Sequence, residues 1–238
     1  MFNQQENVVE MNGGLSAYVT KVFMWMFFGL IITAGVSYLT AATGLYTIFL
    51  TNMAMLLVLF IVEIGLVIYI STRISKGNIS SKGAIIAFLV YAIINGLVLS
   101  SLFLAFQIGV LYQAFFMTAI TFGTMAVYGY VTKKDLTRIG TLLVVGLLGI
   151  IIATIVNGIF GIFGMGSTGL DLVISYVAIA IFLGLAAWDT QKIKYYYYES
   201  LGNEGIQNNL AIYSALQLYL DFINLFLYIL RIFASNRD

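Results

Sequence analysis

Long apolar runs, each about the length of a membrane span, alternate with short polar links along the whole chain. A bilayer core about 30 Å thick is crossed by roughly 20 residues of α-helix, because the helix rises about 1.5 Å per residue. The runs are continuous rather than alternating apolar and polar residues, which excludes the strands of a membrane β-barrel. The pattern predicts an all-α membrane protein with seven spans, at 22–42, 48–70, 84–106, 108–131, 139–163, 172–188 and 210–233.

The composition agrees with an integral, multi-pass membrane protein that lies in a lipid bilayer. Hydrophobic residues make up 61% of the chain and charged residues 9%, and the mean hydropathy is +1.01. We predict one membrane domain, 22–233, between a polar N-terminal tail, 1–21, and a short C-terminal tail, 234–238. The N-terminal segment lacks the basic start and short apolar core of a cleaved signal peptide. The net charge is only +1, which does not indicate a basic nucleic-acid-binding surface, so we predict no nucleic-acid partner.

Three residue types are absent, and each absence removes a class of chemistry. Without cysteine or histidine the chain has no disulfides, no histidine general base and none of the usual zinc sites, which leaves oxygen ligands. Without proline, no helix has a proline kink. Small residues within the spans predict close approach between helices; they are Gly96, Ser100, Gly123, Gly146 and Gly149.

The basic residues predict the orientation of the chain, because short cytoplasmic loops are enriched in lysine and arginine. Loops around Gly44, Gln107 and 164–169 contain none, so the N-terminus and the opposite loops are predicted to be cytoplasmic. Arg231 and Arg237 are exceptions and leave open a last segment that is tilted or re-entrant. The predicted cytoplasmic basic residues are Lys21, Arg73, Lys76, Lys82, Lys133, Lys134, Arg138, Lys192 and Lys194.

Two aspartates are predicted to lie within the membrane, where a carboxylate costs roughly 2.5 to 3.5 kcal/mol on insertion scales. Asp221 lies near the middle of LQLYLDFINLFLYILRIF, and Asp189 lies in GLAAWDTQKIKYYYYES. Helix propensity does not fall until Gly202, so the sixth helix is predicted to continue to about Tyr198. Asp189 then lies about 14 Å inside that helix end, and Asp221 about 17 Å beyond Leu210. The two carboxylates are predicted to lie at one depth.

A carboxylate pair on adjacent antiparallel helices cannot hold two unscreened charges in a low dielectric. The pair is predicted either to share one proton or to bind a hard cation through its oxygens. A structural alternative is that each aspartate only bonds a neighbour. In that case Asp221 bonds Asn224 or Asn157, and Asp189 bonds Lys192 on its own helix.

Two further charged residues lie on the second predicted helix, Glu63 within the span 48–70 and Arg73 just beyond its end. Glu63 and Arg73 are separated by about 15 Å along the helix axis, too far to pair within that helix. Arg73 is expected either to reach inward as a removable counter-charge for the aspartates or to anchor the helix to lipid phosphate. Glu63 is expected either to pack in a protonated state or to line an ion route. Arg231 is interpreted as an interfacial anchor.

The string YLDFINLFLYILRIF, with WDTQKIK earlier in the chain, resembles the signature of the Bax inhibitor family, also called the transmembrane Bax-inhibitor-motif family. The resemblance covers essentially the whole chain. It implies a seven-helix bundle with a central C-terminal helix and a pH-sensitive calcium leak. It also implies that Asp189 and Asp221 are the pH-sensing pair and that Arg73 latches onto them in the closed state. Glu63 matches a glutamate that the family has earlier on the second helix.

Together these features predict a channel that binds calcium and protons and has no cofactor, rather than an enzyme. An intramembrane aspartyl protease is disfavoured, because GLAAW before Asp189 has neither glycine of the GxGD pattern. A retinal protein is excluded, because the last span has no lysine. The alternative is a non-conducting regulator that binds other membrane proteins, such as a membrane protease or a cell-death factor. Short tails favour a bacterial plasma membrane.

Overall fold

The computed structural model describes residues 2–50, 53–75, 79–163 and 167–235, so the predicted basic residues Lys76 and Arg237 and the loop 164–166 lie outside the described residues. Within the described ranges the chain is helical and contains no strand. The helices, in chain order, are α1 Phe2–Ala42, α2 Tyr46–Leu50, α3 Met53–Ser75, α4 Ser81–Leu99, α5 Leu102–Ala105, α6 Ile108–Val131, α7 Thr137–Ile162, α8 Thr168–Glu199 and α9 Glu204–Ser235.

Six stretches of helix in the described part of the chain are long and apolar enough to cross a membrane. Each has a counterpart among the seven predicted spans. The second predicted span, 48–70, corresponds to α3, which is not among the six, so the count of seven is not confirmed. The six are Gly13–Ala42, Ser81–Ala105, Ile108–Val131, Thr137–Gly161, Thr168–Glu199 and Glu204–Ser235.

Helices α1 and α4 differ from the predicted segments, whereas the end of α8 agrees with the prediction. Helix α1 begins at Phe2, so the polar segment predicted as a tail is continuous with the first span. The chain has no glycine before Gly13 and no proline at all to interrupt it. The predicted span 84–106 is divided into α4 and α5. Helix α8 ends at Glu199, close to the predicted end, and Gly202 in the following turn has a φ of 85°, which glycine adopts readily.

The contacts divide the chain into two compact units, the first of which comprises Met1–Ala105 and Lys192–Tyr219. In this unit α1 and α4 pack closely. The Thr33 hydroxyl donates a hydrogen bond to the Ala92 carbonyl oxygen at 2.9 Å. Gly96 lies so near the Thr33 backbone that a Cβ atom there would be 2.8 Å from the Thr33 oxygen. The close approach predicted at Gly96 is therefore confirmed.

The fully buried Tyr219 ring on α9 lies at the centre of the first unit. It packs edge-on against Phe88 and Tyr91 of α4, with ring centroids 5.8 Å apart in both pairs. Its hydroxyl lies 2.7 Å from the Thr33 hydroxyl of α1. Buried hydroxyls cost free energy unless they are hydrogen-bonded. The Thr33 contact meets that need for Tyr219 and joins α1 to α9.

The second unit comprises Phe106–Gln191 and Leu220–Asp238. Here α6, α7, the larger part of α8 and the second half of α9 pack together. Gly129 of α6 lies directly against the backbone of Ala187 on α8, with no room for a side chain. Contacts between backbones are available only where a small residue faces the neighbouring helix. Both aspartates of the predicted pair belong to this unit.

Candidate functional site

Asp189 lies in the most tightly packed part of α8. It is 8% exposed, and its neighbours Ala187 and Thr190 are also buried. The Thr190 hydroxyl donates to the Ala186 carbonyl oxygen at 2.7 Å, within the same helix. On the adjoining face, Gly140 of α7 lies directly against the ring of Trp188. The backbone around Asp189 is therefore fixed from the sides of both α6 and α7.

Asp221 is 5% exposed on α9 and lies beside an aromatic cluster. The next residue, Phe222, packs between Phe115 and Phe122 of α6, with ring centroids 5.7 and 5.4 Å away. A carboxylate in such surroundings is a functional candidate, because its burial has to be compensated by a proton, a cation or a polar partner.

The two amides considered as partners of Asp221 donate hydrogen bonds elsewhere. Asn224 Nδ2 donates to the Leu220 carbonyl oxygen at 2.8 Å, within α9. Asn157 Nδ2 donates to Asp171 Oδ1 at 2.9 Å, between α7 and α8.

One aromatic contact sets the register of α8 against α9 in the second unit. The rings of Phe182 and Tyr228 are stacked, with centroids 6.0 Å apart and planes inclined by 26°. Nearer the start of α8 and the end of α9, Arg231 Nη1 lies 3.7 Å from Asp171 Oδ1. Asp171 precedes Phe182 on α8, whereas Arg231 follows Tyr228 on α9. The two helices therefore run antiparallel.

The structure gives Arg73 an exposed position in the last turn of α3. Its guanidinium carbon lies 5.5 Å from the centroid of the Tyr69 ring, one turn earlier on the same helix. Such a cation–π contact is worth about 0.5 to 1 kcal/mol at an exposed site. Arg73 belongs to the first unit, whereas Asp189 and Asp221 belong to the second.

Glu63 is half-buried in α3 and belongs to a polar cluster of the first unit. Its Oε1 atom is buried and has no hydrogen-bond partner among the described residues. The carboxylate is near enough to the hydroxyls of Tyr91 and Tyr219 to interact with them electrostatically. Asn95 Nδ2 donates to the Tyr91 hydroxyl at 3.3 Å, and Asn95 Oδ1 is itself buried without a partner within the described ranges.

Sequence reasoning missed two polar contacts in the second unit. Arg231, interpreted as an interfacial anchor, lies beside Asp171 in the first turn of α8, each side chain being 44% exposed. Gln191 holds the loop between α6 and α7: its Oε1 accepts from the Leu136 N–H at 2.9 Å, and its Nε2 donates to the Lys134 oxygen at 2.8 Å. The signal for Asp171 is an acid at a helix N-terminus, where the helix dipole favours negative charge.

The acidic residues of the described chain do not form a crowded metal cluster. Nowhere in the described ranges do three or more aspartate, glutamate, histidine or cysteine side chains come together. Calcium takes six to eight oxygen ligands, and two carboxylates supply at most four. A calcium ion held by Asp189 and Asp221 would therefore need water or main-chain oxygens to complete its coordination.

Comparison with known proteins identifies the family. The family model described as inhibitor of apoptosis-promoting Bax1 matches residues 15–238. The Escherichia coli inner membrane protein YbhL is 37% identical over 246 residues, which cover 99% of both chains. A Borreliella burgdorferi protein is 40% identical over 222 residues and 93% of both chains. The Rickettsia prowazekii protein RP147 is 37% identical over 227 residues, covering 94% of this chain and 92% of its own. This multi-pass integral membrane protein belongs to the Bax inhibitor family.

Proposed function

We propose that the protein is a pH-sensitive calcium leak channel in which Asp189 and Asp221 form a pair that binds either a proton or a cation. Both side chains are more than nine-tenths buried in the same unit. On this proposal the protein is a channel rather than an enzyme, and calcium and protons are its ligands. It requires no cofactor.

The observation that carries the proposal is the stacking of Phe182 on Tyr228. Phe182 lies seven residues before Asp189, and Tyr228 lies seven residues after Asp221. Seven residues make about two helical turns, so each aspartate shares a helix face with its aromatic neighbour, about 10 Å along the axis. Because α8 and α9 run antiparallel, seven residues forward along α8 and seven residues back along α9 lead in the same direction in space. The register therefore supports a common level for the two carboxylates, on facing sides of α8 and α9.

A facing carboxylate pair gives the site its two states. Two negative charges in a low dielectric repel each other, so a shared proton or a bound cation stabilises the pair. Protons and calcium then compete for one site. Because Asp189 and Asp221 supply only part of a calcium coordination shell, binding is expected to be weak enough for the ion to leave. Weak binding suits passage of the ion better than storage.

Arg73 is proposed as the latch of the closed state. Its exposed side chain is long, and its cation–π contact with Tyr69 is weak enough to exchange. When both aspartates are ionised, the guanidinium pairs with them. A proton or a calcium ion removes that attraction. Glu63, on the same helix, is proposed to line the ion route.

We also propose seven spans, with α3 as the second and α9 at the centre of the bundle. Helix α3 has 23 residues, about 34 Å of helix, and exposes Val58, Ile61 and Ile68 on one stripe suited to lipid. In the most apolar window of α9 half the residues are buried, against 11% for α7. The basic loops support a cytoplasmic N-terminus. The name of YbhL supports a bacterial plasma membrane.

Calcium flux into liposomes that contain the purified full-length protein tests the proposal. Wild-type flux is expected to change between pH 8 and pH 5, and Asp221→Asn is expected to abolish that change. Arg73→Ala is expected to raise the flux at pH 8. Asp135→Asn, in the exposed loop before α7, is the matched control and is expected to behave as the wild type.

If Asp221→Asn keeps both the flux and its pH dependence, the aspartate pair is not the gate. If the wild-type protein conducts no ion yet co-purifies with another membrane protein, the non-conducting regulator is the better description. The first result would contradict only the role of the aspartate pair as the gate, whereas the second would contradict the channel function itself.

A further inference from the structure

The first unit contains a cavity of about 740 Å³ at the end of the bundle where α8 ends and α9 begins. Its walls come from the end of α3, the start of α4 and the turn between α8 and α9. The side chains that matter for binding are Tyr196, Glu199, Asn209 and Tyr213. None of them belongs to the aspartate pair, and the proposed channel function does not use them.

The electrostatics of the cavity favour a cation. Glu199 is the last residue of α8, so its carboxylate lies at the helix end where unpaired carbonyls already carry partial negative charge. No basic residue lines the cavity among the described residues. Lys82 follows a lining serine in the sequence, but it is exposed and is not part of the wall. A positive group bound here would therefore interact favourably with the Glu199 carboxylate.

Two tyrosines provide a surface for that cation. The rings of Tyr196 on α8 and Tyr213 on α9 are 6.1 Å apart and inclined by 59° to each other. Cations bind to the faces of aromatic rings, and paired aromatic walls are a recurrent way to bind ammonium groups. The same rings would pack against the methylene carbons next to the nitrogen.

Asn209 provides a hydrogen-bond acceptor in a fixed position. Its Nδ2 donates to the Ile79 carbonyl oxygen at 2.9 Å, which sets the orientation of the amide. The side chain is 8% exposed, and its Oδ1 atom has no hydrogen-bond partner within the part of the chain that the structure describes. A buried acceptor without a donor costs about 1 to 3 kcal/mol. A ligand with an N–H group would satisfy it.

We propose that this cavity binds a primary ammonium group, through the Glu199 carboxylate, the faces of Tyr196 and Tyr213, and Asn209 Oδ1. The ammonium belongs either to a phosphatidylethanolamine headgroup, since the cavity lies at an end of membrane-spanning helices, or to a free amine. A quaternary ammonium has no N–H for Asn209 and is discriminated against.

Saturation-transfer NMR on the full-length protein in detergent, with ethanolamine as the probe, tests the site. Ethanolamine is expected to bind wild type and to be displaced poorly by choline. Glu199→Gln is expected to weaken ethanolamine binding about tenfold, since a charge-assisted contact is lost. Glu204→Gln is the matched control, because it changes an exposed glutamate in the first turn of α9 that does not line the cavity.

Lipid nanodiscs identify the source of the ammonium group. If it is the lipid, wild type melts at a higher temperature in phosphatidylethanolamine than in phosphatidylcholine, and Glu199→Gln removes the difference. If it is a free amine, ethanolamine raises the melting temperature equally in both lipids. Absence of any ethanolamine binding, or equal binding by wild type and Glu199→Gln, would overturn the proposal. Both glutamates are exposed, so both variants are expected to fold.

Discussion

Gly129 of α6 lies directly against the backbone of Ala187 of α8, and a Cβ atom at position 129 would overlap the Ala187 carbonyl group. Ala187 is two residues from Asp189, so this contact sets the separation of α6 and α8 beside the candidate site. Backbone atoms cannot rotate aside as a side chain does. Gly129→Ala is therefore expected to destabilise the protein by about 1 to 3 kcal/mol, seen as a lower melting temperature in detergent.

Gly123→Ala is the matched control for that prediction, because it adds the same methyl group to the same helix. No described atom lies within 4 Å of a Cβ built at Gly123. The change is expected to raise the free energy of unfolding by about 0.5 to 1 kcal/mol, because alanine is the better helix former. Equal destabilisation by the two variants would mean that the Ala187 contact does not limit the packing.

Gln191 is predicted to hold the loop between α6 and α7 in place. Its amide group forms hydrogen bonds with Leu136 N–H and with the Lys134 carbonyl oxygen, and Leu136 is buried. Gln191→Ala leaves both groups without their partner, at a cost of about 1 to 3 kcal/mol. We expect faster amide hydrogen exchange across 132–136 and a lower melting temperature.

The Gln191→Glu variant separates the contributions of the two hydrogen bonds. A carboxylate oxygen can still accept from Leu136 N–H but cannot donate to Lys134, so an intermediate exchange rate is expected. Exchange in 132–136 that is the same in wild type and Gln191→Ala would show that other contacts hold the loop.

The burial of the aspartates was predictable because it depends on local properties of the chain. An uninterrupted apolar run around Asp221, and helix propensity that persists beyond Asp189, were enough to predict that both lie inside helices. The end of α8 at Glu199 confirms the second of these predictions. Helix length and depth follow from neighbouring residues, which the sequence contains in full.

The contacts between residues of different helices were not predictable in the same way. The contact of Arg231 with Asp171 on α8 was not predicted. Of the small residues predicted to face other helices, Gly96 does so, whereas the prediction was wrong for Gly123 and Gly149, which have no described atom within 4 Å of a built Cβ. A sequence pattern gives the spacing along one helix but not the neighbour that each face meets.

Asp135 is expected to play no part in the pH response. Hydrogen bonds from the Thr137 side chain and backbone N–H hold the pKa of Asp135 below its ordinary value, and Arg138 adds to this more weakly. A lowered folded-state pKa contributes stability above the ordinary value of about 4 and loses it as the pH falls through the lowered value. Asp135 therefore stays ionised from pH 5 to pH 8.

The measurement is calcium flux from liposomes for Asp135→Asn across pH 5 to 8. The midpoint of the profile is expected to coincide with that of the wild type, because no proton is exchanged at Asp135 in this range. A midpoint that moves with Asp135→Asn would assign part of the response to the loop before α7 rather than to Asp189 and Asp221.

Glu63→Gln is expected to stabilise the protein at pH 8. Glu63 Oε1 is buried and has no partner among the described residues, and a mid-membrane carboxylate costs roughly 2.5 to 3.5 kcal/mol. The amide keeps the volume of the side chain and removes its charge. We expect a gain of about 1 to 3 kcal/mol in the free energy of unfolding. Glu204→Gln, an exposed control, should change it by no more than about 0.5 kcal/mol. A loss of stability in Glu63→Gln would mean that the Glu63 carboxylate itself is required by a bound cation.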